Sequence, residues 1–465
     1  IANFVRAGLN FTVSIMLARY FMPVEYGNYQ YITVIITSIL VLSNLGTEKA
    51  YFTFISQKLR PLKFHIVYYT WQVIQLCILL LIFSIIEKEW FALVFHDVEA
   101  GLVLIGLIAL FLSGSIQTTL GNIFESVRET KYIQMLSIGI ACLHLVLIFF
   151  FIRQDELTLT LLFQVITFEY IVYLIAAINI IKRKRISFAI VEEFDFKSSC
   201  LEFYQYSKPL VLFILTVFLY TFFDRWLIQT YIGSEGQAFF SIAIQFSTLT
   251  AIIYSSILKI FWKEVSEAIN NKDMEKVKMY FVHVSSNVFI FTTVLATTLF
   301  FFSHDIIIHL YGTAYTESLI VFQLIMLYTI PQSLGQLHAT YFIATSQTKV
   351  YTTVSLIFML ISFPIAFLLV SDMGFQFNEA GIAAKMLILG LVGSIVSEYL
   401  ISRHLNIPMR LFNKLLIIVA VGFGTYLMYT FANIVSDNIF VQALTTAFLY
   451  ILPVSYFLFQ RMKTL

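Results

Sequence analysis

Charge is what this chain has least of. Only 12% of its 465 residues are Asp, Glu, Lys or Arg, against about 25% in a soluble domain. That excludes a water-facing surface of ordinary extent. Cysteine is scarcer still, with 3 residues. Cys77, Cys142 and Cys200 lie far apart, so they give neither a disulfide framework nor zinc-ligand spacing, and they read as small core residues. A Walker-type glycine loop is missing, so nothing points to ATP hydrolysis within the chain. The polar connections are too short to hold a soluble catalytic domain. No cofactor, metal site or enzymatic activity is expected.

What the chain does have is apolar length. Hydrophobic residues make up 59% and the mean hydropathy is +0.86. They come in blocks such as 103–119 and 354–370, close to the roughly 20 residues that cross a ~30 Å hydrocarbon core. The reading is an all-α polytopic membrane protein with about 14 transmembrane helices. The expected spans are 3–21, 28–47, 65–86, 101–123, 132–152, 158–181, 204–232, 237–258, 281–302, 319–345, 350–370, 380–402, 412–433 and 439–459. Residue 1 is Ile and the first block starts at once, so a short leader is expected to precede it, and no signal peptide is read. Basic residues set the orientation. Of the 29 Lys and Arg, 22 fall in one set of loops. Only Lys88 and Arg153 fall in the alternate set; Arg6, Arg19, Lys208, Arg225 and Lys385 lie inside spans. The positive-inside rule then places both termini in the cytoplasm of a multi-pass protein; the resemblance given below implies that the membrane is a bacterial inner membrane. The Lys182–Arg185 cluster reads as a cytoplasmic linker; no nucleic-acid partner is expected. The basic amphipathic stretch 259–280 is expected to lie on the inner membrane surface, with 50–64 as its counterpart.

The chain also repeats itself. Ser115-Ile-Gln, Phe124 and Thr130-Lys131 recur at an offset of 218 as Ser333-Leu-Gly, Phe342 and Thr348-Lys349. Each half holds six spans, an even number, so the repeats are parallel and related by a pseudo-two-fold along the membrane normal. The expected parts are an N-terminal six-helix lobe with a cytoplasmic linker at 1–202, a C-terminal six-helix lobe at 203–402 and two additional transmembrane helices at 403–465. Polar residues line single faces of spans one, two, seven and eight. They are Asn3, Arg6, Asn10 and Ser14; Gln30, Thr33, Thr37, Asn44 and Glu48; Thr216, Tyr220 and Asp224; and Ser241, Gln245, Thr248 and Ser255. Such faces suit an aqueous cleft shared by the halves, although Ser and Thr also mediate helix packing or bond back to their own helix.

Charges inside spans are the sharpest candidates, because each costs roughly 2.5–3.5 kcal/mol at mid-membrane on insertion scales. Arg6 either lines the cleft or snorkels to the near interface. Lys208 and Lys385 join it, with Asn10, Ser14, Gln30, Thr37, Asn44, Gln245 and Thr248, as candidate substrate contacts. Arg19, Asp224 and Arg225 sit near the outer ends of spans one and seven, either as a gate or as a static ion pair. Glu169 and Glu398 are candidate carboxylates for proton or sodium coupling; a structural hydrogen bond is the alternative for Glu169. His144 and His338 read as packed, neutral side chains.

These residues carry a resemblance. Leu17-Ala-Arg-Tyr-Phe-Met-Pro-Val-Glu-Tyr-Gly-Asn-Tyr29, Leu45-Gly46, Ser207-Lys-Pro209, Asp224-Arg225, Gly233-Ser-Glu235 and Glu379-Ala-Gly-Ile-Ala-Ala384 together resemble the polysaccharide-flippase branch of the MOP exporter superfamily, which includes Wzx-type O-antigen flippases. Met22 stands where that branch has Gly, Lys385 at a site usually small or polar, and span eight lacks a proline common near its inner end. The resemblance implies a V-shaped, two-lobed transporter. It would flip an undecaprenyl-diphosphate-linked oligosaccharide of O-antigen, capsule or similar surface glycan to the outer leaflet by alternating access. Arginine would neutralise the diphosphate, and Tyr29 and Tyr220 would stack on sugars. Membrane lipid and glycan polymerases or glycosyltransferases would be its partners. Two other readings compete: a multidrug or small-molecule exporter of the same superfamily, whose cleft would favour acidic residues, and a membrane-embedded polysaccharide polymerase, which would need a large outer loop.

Overall fold

In a computed structural model the protein is described over residues 2–96, 98–184, 194–409 and 411–435. Among these residues it is helical throughout, with no β-strand, as a chain in lipid requires: a helix satisfies its own backbone donors and acceptors where no water can. Eleven helical stretches are long and apolar enough to cross a bilayer. Contacts divide the chain into two compact units, residues 1–238 and 239–465.

The first unit contains α1 (Ala2–Asn44), α2 (Thr47–Gln57), α3 (Leu62–Ile85), α4 (Lys88–Phe95), α5 (Ala100–Phe111), α6 (Gln117–Ser126), α7 (Thr130–Gln154), α8 (Leu159–Arg183), α9 (Phe196–Ser207) and α10 (Val211–Tyr231). Helix α1 is two arms. Met22 leaves helical geometry at φ 59°, ψ 174°, just before Pro23. Ser14 Oγ meets Tyr26 OH at 2.7 Å, although twelve residues of straight helix would hold them about 18 Å apart. The chain therefore reverses at Met22, and the arms match the first two expected spans. Helix α10 packs against α1. A Cβ on Gly27 would lie 1.7 Å from the Ser234 carbonyl oxygen; only glycine permits that approach. Ser234 Oγ donates there to Asn28 Oδ1 at 2.5 Å. The short helix α4 covers the outer end of α10, where Trp226 Nε1 donates to the Leu93 carbonyl at 2.9 Å. At the opposite end Arg60 fixes α9 by a two-pronged bond to Glu202 at 2.6 and 2.9 Å. Its guanidinium lies over the Phe54 and Phe64 rings.

The second unit begins within α11 (Ser234–Asn270) and contains α12 (Met274–Phe301), the single turn α13 (Ser303–Ile306), α14 (Leu319–Ala344), α15 (Thr348–Val370), α16 (Asn378–Leu405) and α17 (Leu411–Val435). Every expected span through 433 finds a helix; the fourteenth, 439–459, lies outside the described residues, as does Arg185. One turn of the expected repeat has the same backbone form at both positions. Helices α6 and α14 both end into the same turn, with Arg128 at φ 61° and Ser346 at φ 59°, an offset of 218. Matching bonds close it: Glu129 N to Phe124 O at 2.8 Å and Gln347 N to Phe342 O at 2.7 Å.

Three expectations change. The stretch 259–280 is not a separate segment: residues 259–270 continue α11, and 274–280 open α12. Phe261, Val265, Ala268, Val277 and Phe281 belong to one buried cluster, so the apolar face of this stretch is used against protein. The three cysteines are exposed, not core residues; Cys77 and Cys142 lie on faces of α3 and α7 that a membrane would cover with lipid. Lys414, counted among the 22 loop charges although the expected span opens at 412, lies in α17 and pairs with Glu398 of α16 at 2.6 Å. This buried pair and the Thr297–Thr425 hydroxyl contact at 3.0 Å hold α17 on the unit. Replacing Lys414 by Met is expected to destabilise the protein by about 3–5 kcal/mol, because Glu398 is left as an unpaired buried charge. The double change Glu398→Leu, Lys414→Met is expected to recover most of that loss. Unfolding in detergent measures both; equal stability of the two variants contradicts the pairing.

Candidate functional site

The first unit gathers polar side chains from five helical segments inside its apolar body. The α5–α6 span is interrupted by a π-helical segment, Leu112–Ile116, whose wider turn inserts a residue and re-aims the side chains that follow. Gln117 comes next. With its amide oriented to satisfy both ends, Oε1 accepts from Arg6 Nη1 at 3.1 Å, and Nε2 donates to the Ser113 carbonyl at 3.2 Å and Tyr170 OH at 3.3 Å. Gln117 lies nine residues from the end of α6 at Ser126, roughly 14 Å of helix. The half-buried Arg6 guanidinium is thus turned into the membrane interior and away from the lysine-rich surface. Of the two readings of Arg6, this geometry supports the interior one. Guanidinium carries five donors in a fork, so the Gln117 bond uses one and fixes the plane of the rest.

Beside it, Glu169 of α8 is 1% exposed. His144 Nδ1 of α7 bonds both its oxygens, at 2.9 and 3.1 Å. Buried carboxylates need such a partner, and His144, read from sequence as merely packed, supplies it. These three residues are not repeated: at the offset of 218, Gln117, His144 and Glu169 become Gly335, Ser362 and Leu387.

The other candidates have different surroundings. Asn44 caps α2, its Oδ1 accepting from Thr47 Oγ1 at 2.8 Å and Glu48 N at 2.9 Å. Thr37 bonds back to the Thr33 carbonyl, and Thr248 to that of Ile244 at 2.9 Å. Ser14 joins the α1 arms. Asn10 is exposed; Gln30 and Gln245 are half-buried. Lys208 is exposed in the 3₁₀ turn between α9 and α10, its ammonium 6.0 Å from the Tyr204 ring centre. Lys385 is fully buried in α16. Arg19 is exposed, whereas Asp224 and Arg225 are buried. Arg225 Nη1 donates to Gln237 Oε1 at 3.1 Å, and Gln237 Nε2 returns a bond to the Arg225 carbonyl. Tyr29 packs on Phe163. Sequence reasoning missed Gln117 as a site residue; its only signal was the Ser-Ile-Gln repeat motif, whose second copy ends in glycine.

Known proteins carry the same fold. The lipid II flippase MurJ in an inward closed conformation superposes with a TM-score of 0.74 at 14% identity, over 99% of this chain and 98% of that one. An inward-facing multidrug resistance MATE family transporter of the MOP superfamily gives a TM-score of 0.67 at 12% identity, over 87% and 95%. The Vibrio cholerae MATE transporter VcmN in the bent form gives 0.55 at 14%, over 87% and 96%. Curated proteins yield no match. A family model described as polysaccharide biosynthesis protein matches residues 1–261.

Gln117→Leu tests the positioning of Arg6. Losing a bond to a charged group is expected to lower stability by about 1.5–3 kcal/mol, and modification of Arg6 by a dicarbonyl reagent should speed up. Unchanged stability together with an unchanged Arg6 rate overturns the assignment.

Proposed function

This chain belongs to the polysaccharide biosynthesis protein family, and on that premise we propose that it flips a lipid-linked oligosaccharide, carried on a polyprenyl diphosphate such as undecaprenyl diphosphate, from the cytoplasmic to the outer leaflet of a bacterial inner membrane. The observation that carries the reading is Arg6. It is a permanently charged guanidinium, half-buried in a span and fixed by Gln117, and the equivalent part of the second half has no Gln117 or Glu169 counterpart. Arginine suits a diphosphate because its fork meets phosphate oxygens in pairs. A cationic drug would be repelled by the same group, which sets the multidrug reading second.

Movement follows alternating access, with a proton or sodium ion acting at the Glu169–His144 pair. Glu398 is assigned the weaker claim to coupling, since its ion pair with Lys414 already has a packing role. Arg19, Asp224 and Arg225 are assigned the outer gate, and Lys208 and Lys385 supporting charge. Glycosyltransferases and a glycan polymerase act before and after this step. Surface O-antigen or capsule is the product class.

Reversing the charge with Arg6→Glu is expected to abolish export of the surface glycan while the protein still inserts. Arg6→Lys, which keeps the charge and loses the fork, is expected to retain a fraction of it. Surface glycan measured against membrane protein level reads both. Full export by well-inserted Arg6→Glu removes Arg6 from the substrate path. For the gate, Arg19→Cys and Asp224→Cys in one chain are expected to crosslink in one trapped state and separate in the other; no crosslink in any state refutes it.

A further inference from the structure

The corner between α15 and α16 is built to hold three large apolar side chains outward. It comprises Ser371, Asp372, Met373, Gly374, Phe375, Gln376 and Phe377. Met373 is 90% exposed, Phe375 66% and Phe377 54%. The corner is tied to the last turn of α15. Phe375 N and Phe377 N donate to the carbonyls of Leu368 and Leu369, each at 2.8 Å, and Gly374 N donates to Ser371 O at 2.9 Å. Gln376 Nε2 adds a bond to the Asp372 carbonyl at 3.2 Å. A Cβ on Gly374 would sit 1.9 Å from the Leu368 oxygen, so glycine is what lets the chain close so tightly. The Phe375 and Phe377 rings stack, with centres 5.5 Å apart.

The repeat supplies an internal control. Helices α7 and α15 begin at Thr130 and Thr348, the same offset of 218. The first corner, residues 155–158, is Asp-Glu-Leu-Thr and follows Arg153. It is short and charged, and it is fastened to the protein by Tyr20 OH donating to Asp155 at 3.0 Å. The second is longer and apolar. A corner at the same place in the repeat can therefore be made polar, and the second one is not.

We infer that the Met373–Phe375–Phe377 corner inserts into the lipid leaflet on the lysine-poor side of the membrane and anchors the second half there. Two observations favour lipid as the occupant. The corner is continuous with the exposed apolar face of α15, formed by Ile357, Leu360, Ile361 and Leu368, which is the lipid-facing side of that span. Helix α15 has 23 residues, about 34 Å of helix, against a hydrocarbon core of ~30 Å. The corner thus falls at the boundary of acyl chains and headgroups, where apolar and aromatic groups are favoured. A rigid apolar patch left in water would be a site of association instead.

The test uses the full chain with Cys77, Cys142 and Cys200 changed to Ala, reconstituted in vesicles of phosphatidylcholine and phosphatidylglycerol. Nitroxide labels go on Met373→Cys and, separately, Phe375→Cys. Leu360→Cys is the lipid reference and Glu156→Cys the corner reference. Power saturation then compares collision with oxygen, which concentrates in lipid, and with a water-soluble nickel complex. Both corner labels are expected to favour oxygen at least tenfold more than the Glu156→Cys label, approaching the Leu360→Cys value. Nickel access equal to that at Glu156→Cys overturns the proposal in favour of water. Labels screened from both reagents overturn it in favour of a protein partner or a second copy of this chain. Having two corner positions guards against one that disturbs folding, which size-exclusion homogeneity monitors.

Discussion

Inside a bilayer a polar group has no water to bond, so each one must find its partner within the protein. For the backbone, helices meet that demand. For side chains the demand becomes a map of where the chain's chemistry lies. Most hydroxyls in the spans answer it cheaply by bonding back to a carbonyl a turn away, as Thr37, Thr216 and Thr248 do. A guanidinium or a buried carboxylate cannot be satisfied so locally, because it needs an opposite charge or several partners: acceptors for the guanidinium, donors for the carboxylate. Arg6 takes Gln117 from another span, Glu169 takes His144, and Glu398 takes Lys414. These three long-distance arrangements, with the Arg225–Gln237 contact and the buried Lys385, are places where the chain departs from being a plain bundle of apolar helices.

They also lie where residues at the offset of 218 differ. One turn matches closely at that offset, with φ 61° at Arg128 and 59° at Ser346. Turn geometry is a local property, fixed by steric limits that both copies share. Side-chain chemistry is free to diverge, and it has. The first half keeps a π-helical segment, Gln117, His144 and Glu169 around Arg6. The second has Gly335, Ser362 and Leu387 at those offsets, but buries Lys385 and an ion pair further along. The turn is thus shared at this offset, whereas the polar side chains around it differ.

The spans were legible because length and hydropathy are properties of contiguous residues, and the bilayer reads them the same way. The basic-residue asymmetry was legible for the same reason. Asn44 ends α1 and its Oδ1 accepts from Glu48 N in the first turn of α2, across the Leu45–Gly46 break, an arrangement that the helix-start pattern of the sequence does not contain. What the sequence hides is pairing across distance. His144 and Glu169 are 25 residues apart with a turn between them, so no helical periodicity relates them. Gln117 is harder still. A π-helical segment shifts every later side chain on its span by one position, and a regular wheel places Gln117 on the wrong face. Lys414 looked like a loop charge because it lies near the start of its span; only its neighbour on α16 reveals it as paired.

Arg6 and Lys414 make an instructive pair of charges. Each sits near the first turn of its helix, where a long side chain could reach the interface. Lys414 meets a carboxylate at 2.6 Å and lies over the Phe289 ring, so its charge is neutralised inside the protein and holds α17 in place. Arg6 meets a neutral amide, which orients it without neutralising it. An ion pair consumes the attraction that a charged ligand would need, whereas an amide leaves it in force. The two charges therefore differ in the partner each has been given, a carboxylate for Lys414 and a neutral amide for Arg6.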